Sequence, residues 1–166
     1  MAIDVVTAWL QHQPSARKEE HIAEMKVPYT LFETLTPEER VEFLAHELDS
    51  KRATRIGIDR FEALLDAVGL SGTRDRLLGR NIYEMQQIRN VFAHKRGIAD
   101  RRFVDACPQL NYLAGETILI DRNTWSDFMV NALVYAETVL RRMKEQLGMT
   151  ARERSTVVRP IRYVRS

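Results

Sequence analysis

The stretch TRDRLLGRNIYEMQQIRNVFAHKRG, residues 73–97, carries the clearest signal for the fold of this chain. Its apolar residues recur every three or four positions, which predicts one long amphipathic helix. Thr73 is expected to cap the start of this helix, and Gly97 to mark its end. The apolar positions are Leu77, Leu78, Ile82, Met85, Ile88, Val91 and Phe92.

Similar helical signals occur along the rest of the chain. Thr36-Pro37-Glu38-Glu39 reads as a capping box with proline at the first helical position. Residues 17–25 are predicted as a weak helix or a surface segment, and residues 115–121 as a short extended segment that forms no sheet. The remaining helices are predicted at residues 2–11, 36–51, 58–68 and 101–106, with a last one capped by Asn123 or Ser126 that reaches about Leu147.

These signals predict an all-α fold, a helical bundle of four to five main helices with a short extended segment and an arginine-rich C-terminal tail. The predicted parts are an N-terminal helical extension, 1–35, a bundle domain, 36–150, and a basic tail, 151–166. The last helix is expected to place Phe128, Leu133, Val134, Val139, Leu140 and Met143 in the core.

The charge of the chain is distributed unevenly, although the net charge is only +2. Residues 1–50 hold ten acids and four bases, a net of −6, and residues 51–166 hold 13 acids and 21 bases, a net of +8. The basic part predicts either a nucleic-acid face or a surface that attracts the acidic part across a subunit contact. Of the 25 basic residues 20 are arginine, which suits phosphate binding and is equally explained by codon usage.

Several classes of site are excluded by the composition and the motifs. The single cysteine, Cys107, allows no internal disulfide and no four-thiolate metal site. His46-Glu47 lacks the second histidine of a zinc protease, because Ser50 stands there. No phosphate-binding glycine loop or nucleophile elbow occurs, so we expect no metal and no cofactor. Without an apolar run of membrane length or a signal peptide, we expect a cytoplasmic protein with no membrane contact.

The residues that suggest chemistry are Arg89, Asn90, His94, Lys95 and Arg96, which crowd the predicted C-terminal end of the long helix. Histidine exchanges protons near neutral pH, and arginine is a permanent cation that matches a phosphodiester. RNA supplies its own nucleophile, the 2′-hydroxyl. One histidine and one arginine could therefore cleave RNA without a metal.

Helical geometry constrains how these residues could act together. Asn90 and His94 are four apart and share a face, so Asn90 could fix the histidine tautomer or bind ribose or phosphate. Arg89 and His94 lie roughly 140° apart on an ideal helix. They would meet at one phosphate only if the helix loosens near residues 93–97 or if two copies form a composite cleft. The structural alternative is that His94 stabilises the helix dipole while Arg89 pairs with Glu84, Asp100 or Asp105.

The segment Arg89-Asn90-Val91-Phe92-Ala93-His94 resembles the R-x4-H signature of HEPN domains, and residues 97–103, GIADRRF, resemble the continuation seen in bacterial members. The resemblance implies a metal-independent endoribonuclease, a toxin or phage-defence effector, that acts as a homodimer on RNA. It implies Arg89 and His94 as catalytic residues with Asn90 beside them. Lys95 and Arg96 would bind the RNA phosphates. An antitoxin or other regulatory protein is a further expected partner.

Arg96 departs from one subgroup of that family, which carries tyrosine two residues after the histidine and is inactivated by a nucleotidyltransferase partner. The acidic residue that some members place on an earlier helix is assigned only by location, to Glu62 or Asp66. Two other functions stay open. The chain could be a non-catalytic HEPN-like module that binds RNA, a nucleotide or a protein. It could also be a structural dimerisation protein without a ligand.

Overall fold

The structure, a computed structural model, describes residues 2–55, 57–73 and 75–149. Most of these residues are helical and none belongs to a sheet, so the predicted all-α class is confirmed. The basic tail, 151–166, lies outside the described residues. No helix in the described ranges combines the length and the apolar character that a membrane span requires.

The described residues form eight α-helices and two short 3₁₀ turns. The turns are Pro14–Lys18 and Pro108–Leu110. The helices are α1 (Ala2–His12), α2 (Glu20–Ala23), α3 (Tyr29–Thr34), α4 (Pro37–Lys51), α5 (Ile58–Asp66), α6 (Arg76–Lys95), α7 (Arg101–Ala106) and α8 (Arg122–Gln146). The sequence pattern did not predict α3, which contains no buried residue and therefore lacks an apolar stripe.

Contacts divide the chain into two compact units, with the division directly after Thr73. The boundary predicted after residue 35 falls inside the first unit. In that unit α1 packs against α4 and α5. The buried indole of Trp9 donates a hydrogen bond of 3.1 Å to the carbonyl of Val68, just beyond α5. The predicted capping box is present, since Thr36 and Glu39 bond each other's backbone N–H groups.

The second unit contains α6, α7 and α8, and α6 packs along α8. Both long helices are capped by an aspartate and not by the residue predicted from the sequence. Asp75 Oδ1 accepts from the N–H of Leu78 at 2.9 Å, and Asp121 Oδ1 accepts from the N–H of Thr124 at 2.7 Å. The predicted caps Thr73 and Asn123 or Ser126 were wrong, because an aspartate at the boundary already satisfies the free backbone donor.

Two leucines of α8 do not lie in the core as predicted. Leu133 is 64% exposed and Leu140 is 54% exposed. Phe128, Val134 and Val139 are buried as expected. At 100° per residue the buried positions and the two leucines fall on different sides of the helix. The prediction failed because α8 has two apolar faces and the sequence pattern merged them.

Gly97, which follows α6, has a φ of 79° and provides a test of the local packing. A side chain there would carry the left-handed strain and would place its Cβ 3.1 Å from Cε1 of Phe92. Gly115 has a φ of 91° but nothing within 4 Å of a Cβ. We expect Gly97→Ala to lower the free energy of unfolding by about 2 kcal/mol and Gly115→Ala by about 1 kcal/mol, measured by urea denaturation. Equal losses would show that the Phe92 ring moves aside without cost.

Candidate functional site

The last two turns of α6, together with Arg96 directly after the helix, carry all five predicted site residues. Arg89, His94, Lys95 and Arg96 are exposed, and Asn90 is half-buried. This end of α6 is held by the side chains that point the other way, Ile88 and Val91, which are both buried. The predicted residues therefore lie on the open side of an anchored helix end.

Ile88 and Val91 belong to a cluster of buried side chains that joins α6 to the connection between α6 and α8. We call it the Ile88 cluster, and its members are Ile88, Val91, Ala99, Phe103, Cys107, Leu110, Tyr112, Ile118 and Phe128. It draws residues from α6, α7, α8 and the segments between them. The cluster fixes the position of the backbone that carries Arg89 and His94.

Backbone hydrogen bonds complete this anchor. The segment directly after α6 pairs antiparallel with residues 115–118 through an isolated bridge between Ile98 and Thr117. Ile118 N–H donates to the carbonyl of Gly97, and Ala99 N–H donates to that of Glu116, both at 2.8 Å. The short extended segment that the sequence predicted here is therefore present, and its role is to hold the end of α6.

The helix does not loosen between Arg89 and His94. α6 remains α-helical through Lys95, and left-handed backbone begins only at Arg96, where φ is 55°. Arg89 and His94 therefore stay roughly 140° apart. The suggestion that loosening near residues 93–97 brings them together within one chain is wrong, because the change of backbone comes after His94.

Asn90 interacts with the arginine of the motif rather than with the histidine. Its Oδ1 accepts a hydrogen bond of 3.3 Å from Nη1 of Arg89. This bond draws the guanidinium toward Asn90, which shares a helix face with His94. Asn90 thus acts on the orientation of Arg89, and a tautomer-fixing bond to His94 is not among the contacts of the described residues.

The two predicted phosphate-binding residues differ in their surroundings. Nζ of Lys95 lies 3.6 Å from Oδ2 of Asp100. Asp100 also caps α7, since its Oδ1 accepts from the N–H of Phe103 at 2.9 Å. Arg96 is exposed, and within residues 75–149 no carboxylate forms an ion pair with it. The charge of Lys95 is therefore partly neutralised by Asp100, whereas the Arg96 guanidinium faces solvent.

Glu84 is a buried carboxylate on α6, and from the sequence it was predicted only as a possible partner for Arg89. Its Oε1 instead lies 3.2 Å from Nε of Arg80, one turn earlier, and accepts a hydrogen bond from Nε2 of Gln109. Gln109 belongs to the turn that follows α7. Glu84 therefore links α6 to the connection that holds the motif. The signal for it was an acid at a core-facing position of α6, between Asn81 and Ile88.

Cys107 is buried in the Ile88 cluster, and burial raises the pKa of its thiol to about 12, with a further contribution from the nearby charge of Glu84. Such a thiol is not a nucleophile at neutral pH. Within residues 2–55, 57–73 and 75–149, no group of three or more His, Cys, Asp or Glu side chains is placed to hold a metal ion.

The acids named by location, Glu62 and Asp66, belong to α5 in the first unit. Asp66 Oδ2 lies 3.9 Å from Nε2 of His21, and both side chains are more than half exposed. The described contacts thus connect Asp66 to its own unit.

The buried carboxylate gives a pH test of the anchor. Desolvation raises the pKa of Glu84 above its ordinary value of 4.5, against the opposing effects of Gln109 and Arg80. The folded protein then holds this proton more tightly than the unfolded chain, so stability falls as the pH rises from 4.5 through the folded pKa. We expect urea denaturation across this range to show the fall in wild type and a smaller fall in Glu84→Gln. Glu137→Gln, at an exposed position on α8, is the control and should behave as wild type. The same pH dependence in Glu84→Gln would contradict the assignment.

No protein-family model, no curated protein and no solved structure matches this chain.

Proposed function

We propose that this protein is a metal-independent endoribonuclease of the HEPN type, built as a helical bundle and active in the cytoplasm. The observation that carries the proposal is the exposure of Arg89 and His94 at the end of a helix whose other side is anchored in the Ile88 cluster. Within residues 75–149 neither side chain forms an ion pair with a carboxylate. Both are open to a phosphodiester.

In the proposed reaction the 2′-hydroxyl of RNA attacks the adjacent phosphorus. His94 removes the proton of the hydroxyl or protonates the leaving 5′-oxygen, and the guanidinium of Arg89 stabilises the negative charge of the phosphorane. The products are a 2′,3′-cyclic phosphate, or its hydrolysis product, and a 5′-hydroxyl. Asn90 orients Arg89 through their hydrogen bond. Arg96 and Lys95 bind neighbouring phosphates.

The angle between Arg89 and His94 favours a site built by two copies of the chain. On one continuous helix the two side chains leave the backbone roughly 140° apart, and a two-fold axis would bring Arg89 of one copy toward His94 of the other. We therefore propose a homodimer with composite sites. A toxin or phage-defence effector with an antitoxin or other regulatory protein is the setting we propose for such an activity. Arg96, in the position of the subgroup's tyrosine, argues against control by a nucleotidyltransferase.

The cleavage test uses purified protein and labelled RNA in the presence of EDTA. We expect Arg89→Ala to lower the rate by about 10²-fold or more, because it removes stabilisation of the phosphorane. His94→Ala should lower it by about 10²–10⁴-fold, because it removes the proton transfer. Arg76→Ala, an exposed arginine at the other end of α6, is the matched control and should leave the rate unchanged. Cleavage that survives both site variants would sink the proposal.

A mixing experiment distinguishes a composite site from a site within one chain. Arg89→Ala and His94→Ala chains, each inactive alone, should regain about one quarter of the wild-type rate when they exchange partners. Half of the dimers are then mixed, and one of their two sites is intact. No recovery after proven exchange would show that the two residues act within one chain.

The divergence of Arg89 and His94 also supports the second candidate, a HEPN-like module that binds RNA, a nucleotide or a protein without cleaving it. Such a module would bind labelled RNA without turnover. Lys95→Ala and Arg96→Ala would weaken that binding, and Arg76→Ala would not. Cleavage lost in both Arg89→Ala and His94→Ala would reject this candidate.

The basic tail gives a separate test of RNA binding. Residues 152–166 hold five arginines and one glutamate. If they contact phosphates, deletion of this segment should flatten the dependence of log K on log salt by about 0.7 for each phosphate contact that is lost. The measurement is RNA affinity between low and physiological salt. An unchanged slope would dismiss the tail from binding.

A further inference from the structure

α8 has a second apolar face that the described residues leave exposed. Its large side chains are between 44% and 64% exposed, and they are Trp125, Met129, Leu133, Leu140 and Leu147 at the C-terminal cap. At 100° per residue these five positions fall within an arc of about 80°. We call this arc the α8 face. Single exposed apolar residues are common, but several on one side of a helix form a strip that marks a contact surface.

The backbone turns at the end of α8. Gly148 has a φ of 67°, and its N–H donates to the carbonyl of Glu145 at 3.1 Å. The N–H of Met149 donates to the carbonyl of Lys144 at 2.9 Å. These two bonds form a Schellman motif, which satisfies the last carbonyls of the helix. The bond from Met149 holds the chain beside the last turn of α8, so the chain leaves this helix through a turn and not along its axis.

The sequence of the C-terminal tail contains a repeat of three residues. Residues 157–165, VVRPIRYVR, are three consecutive triplets in which two apolar or aromatic residues precede an arginine. This period matches the polyproline II helix, which has three residues per turn. Pro160 favours that conformation, because proline fixes its own φ and restricts Arg159 to extended backbone. In it, Arg159, Arg162 and Arg165 share one edge, and the apolar residues share the other two.

We propose that residues 157–165 pack as an extended segment on the α8 face of the same chain, antiparallel to the helix and with the arginine edge directed to solvent. The apolar edges then exclude water from the exposed side chains of α8, as polyproline II ligands do in aromatic-lined grooves. Trp125 supplies an aromatic surface at one end. A second copy of the chain and a separate protein are the alternative occupants, and neither is tethered beside the face as this segment is.

The lengths of the two apolar surfaces agree. From Trp125 to Leu140 the distance along α8 is about 22 Å. From Val157 to Val164 the distance is also about 22 Å in a polyproline II conformation. In the antiparallel arrangement Val157 lies beside Leu140, and Val164 lies beside Trp125.

The connection to α8 selects the antiparallel direction. From Met149 to Val157 the chain can span at most about 29 Å. Measured from the cap at Leu147, Leu140 lies about 10 Å back along α8, and Trp125 lies about 33 Å back. The segment can therefore begin beside Leu140 but cannot begin beside Trp125.

This direction brings the last arginines of the tail toward the motif. Phe128 lies one turn from Trp125 and belongs to the Ile88 cluster, together with Val91 of α6. The Trp125 end of α8 is therefore packed beside the end of α6 that carries the motif. Arg162 and Arg165 would add positive charge at that end, a role in RNA binding that rests on the proposed function.

The docking of the segment does not depend on that function. A tail that docks in a protein without RNA cleavage would overturn the proposed function and leave the docking in place. RNA cleavage by a protein whose Trp125 is exposed to water would do the reverse.

Fluorescence of Trp125 tests the docking in the full chain. Trp9, the second tryptophan, is buried and contributes a constant background. We expect deletion of residues 157–166 to shift the emission to longer wavelength and to raise the acrylamide quenching constant, because Trp125 becomes exposed to water. Ile161→Asp should act in the same direction, since a carboxylate would be buried against an apolar surface. Arg162→Gln, the neighbouring residue on the arginine edge, is the matched control and should leave both readings unchanged.

Sedimentation sets a protein concentration at which all variants have the oligomeric state of the full chain, and circular dichroism shows that they fold. Equal quenching in the full chain and in the deletion variant would overturn the proposal. Protection of Trp125 that survives Ile161→Asp would do so too, because a different occupant would then cover the α8 face.

Disulfide formation tests the direction and the register. Under mild oxidation, Val157→Cys should form a disulfide with Leu140→Cys in the same chain. The pair Val164→Cys and Leu140→Cys is the matched control and should stay unlinked, because the two positions are about 22 Å apart in the antiparallel arrangement. The native Cys107 is buried, which keeps its background low. A link from Val164→Cys and none from Val157→Cys would show the parallel direction and overturn the proposal. Links between isotope-labelled and unlabelled chains would place the segment on a neighbouring chain, with the same consequence.

Discussion

The antiparallel pairing of residues 97–99 with residues 115–118 is the constraint on which the second unit depends. It closes the connection between α6 and α8, within which α7 packs against α6. The Ile88 cluster fills the space this closure creates. Gly97 makes the closure possible, because its positive φ turns the chain back directly after α6 without a side chain that would press on Phe92. The buried Glu84 of α6 also holds this connection, because its carboxylate accepts a hydrogen bond from Gln109.

The consequence for chemistry is that the end of α6 is anchored and helical where the motif lies. An unbroken helix directs the Cα–Cβ bonds of Arg89 and His94 roughly 140° apart. This geometry favours a site in which Arg89 of one chain and His94 of a second chain meet at one phosphate. A non-catalytic binding role needs no convergence, and this is the physical difference between the two proposed functions.

Sequence reasoning predicted the helices that carry a strong period or a cap and failed where two local signals competed. The capping box predicted at Thr36 is present. Asp75, and not the predicted Thr73, caps the start of α6. Several polar residues near a helix boundary can serve as the cap, and only the backbone geometry selects one. Within the site, the spacing predicted the angle between Arg89 and His94. It could not predict that Glu84 pairs with Arg80 or that Asp100 reaches Lys95, since both depend on a side chain that has several partners within range.

The error in α8 has a different origin. Hydrophobic periodicity reports which positions avoid water, and it does not report whether the same chain or another molecule excludes the water. α8 contains two such faces, one directed at α6 and one exposed, and their positions interleave along the sequence. Leu133 and Leu140 satisfy the pattern of a core helix although the described part of the chain does not bury them. The period alone therefore does not decide which of the two faces the chain buries.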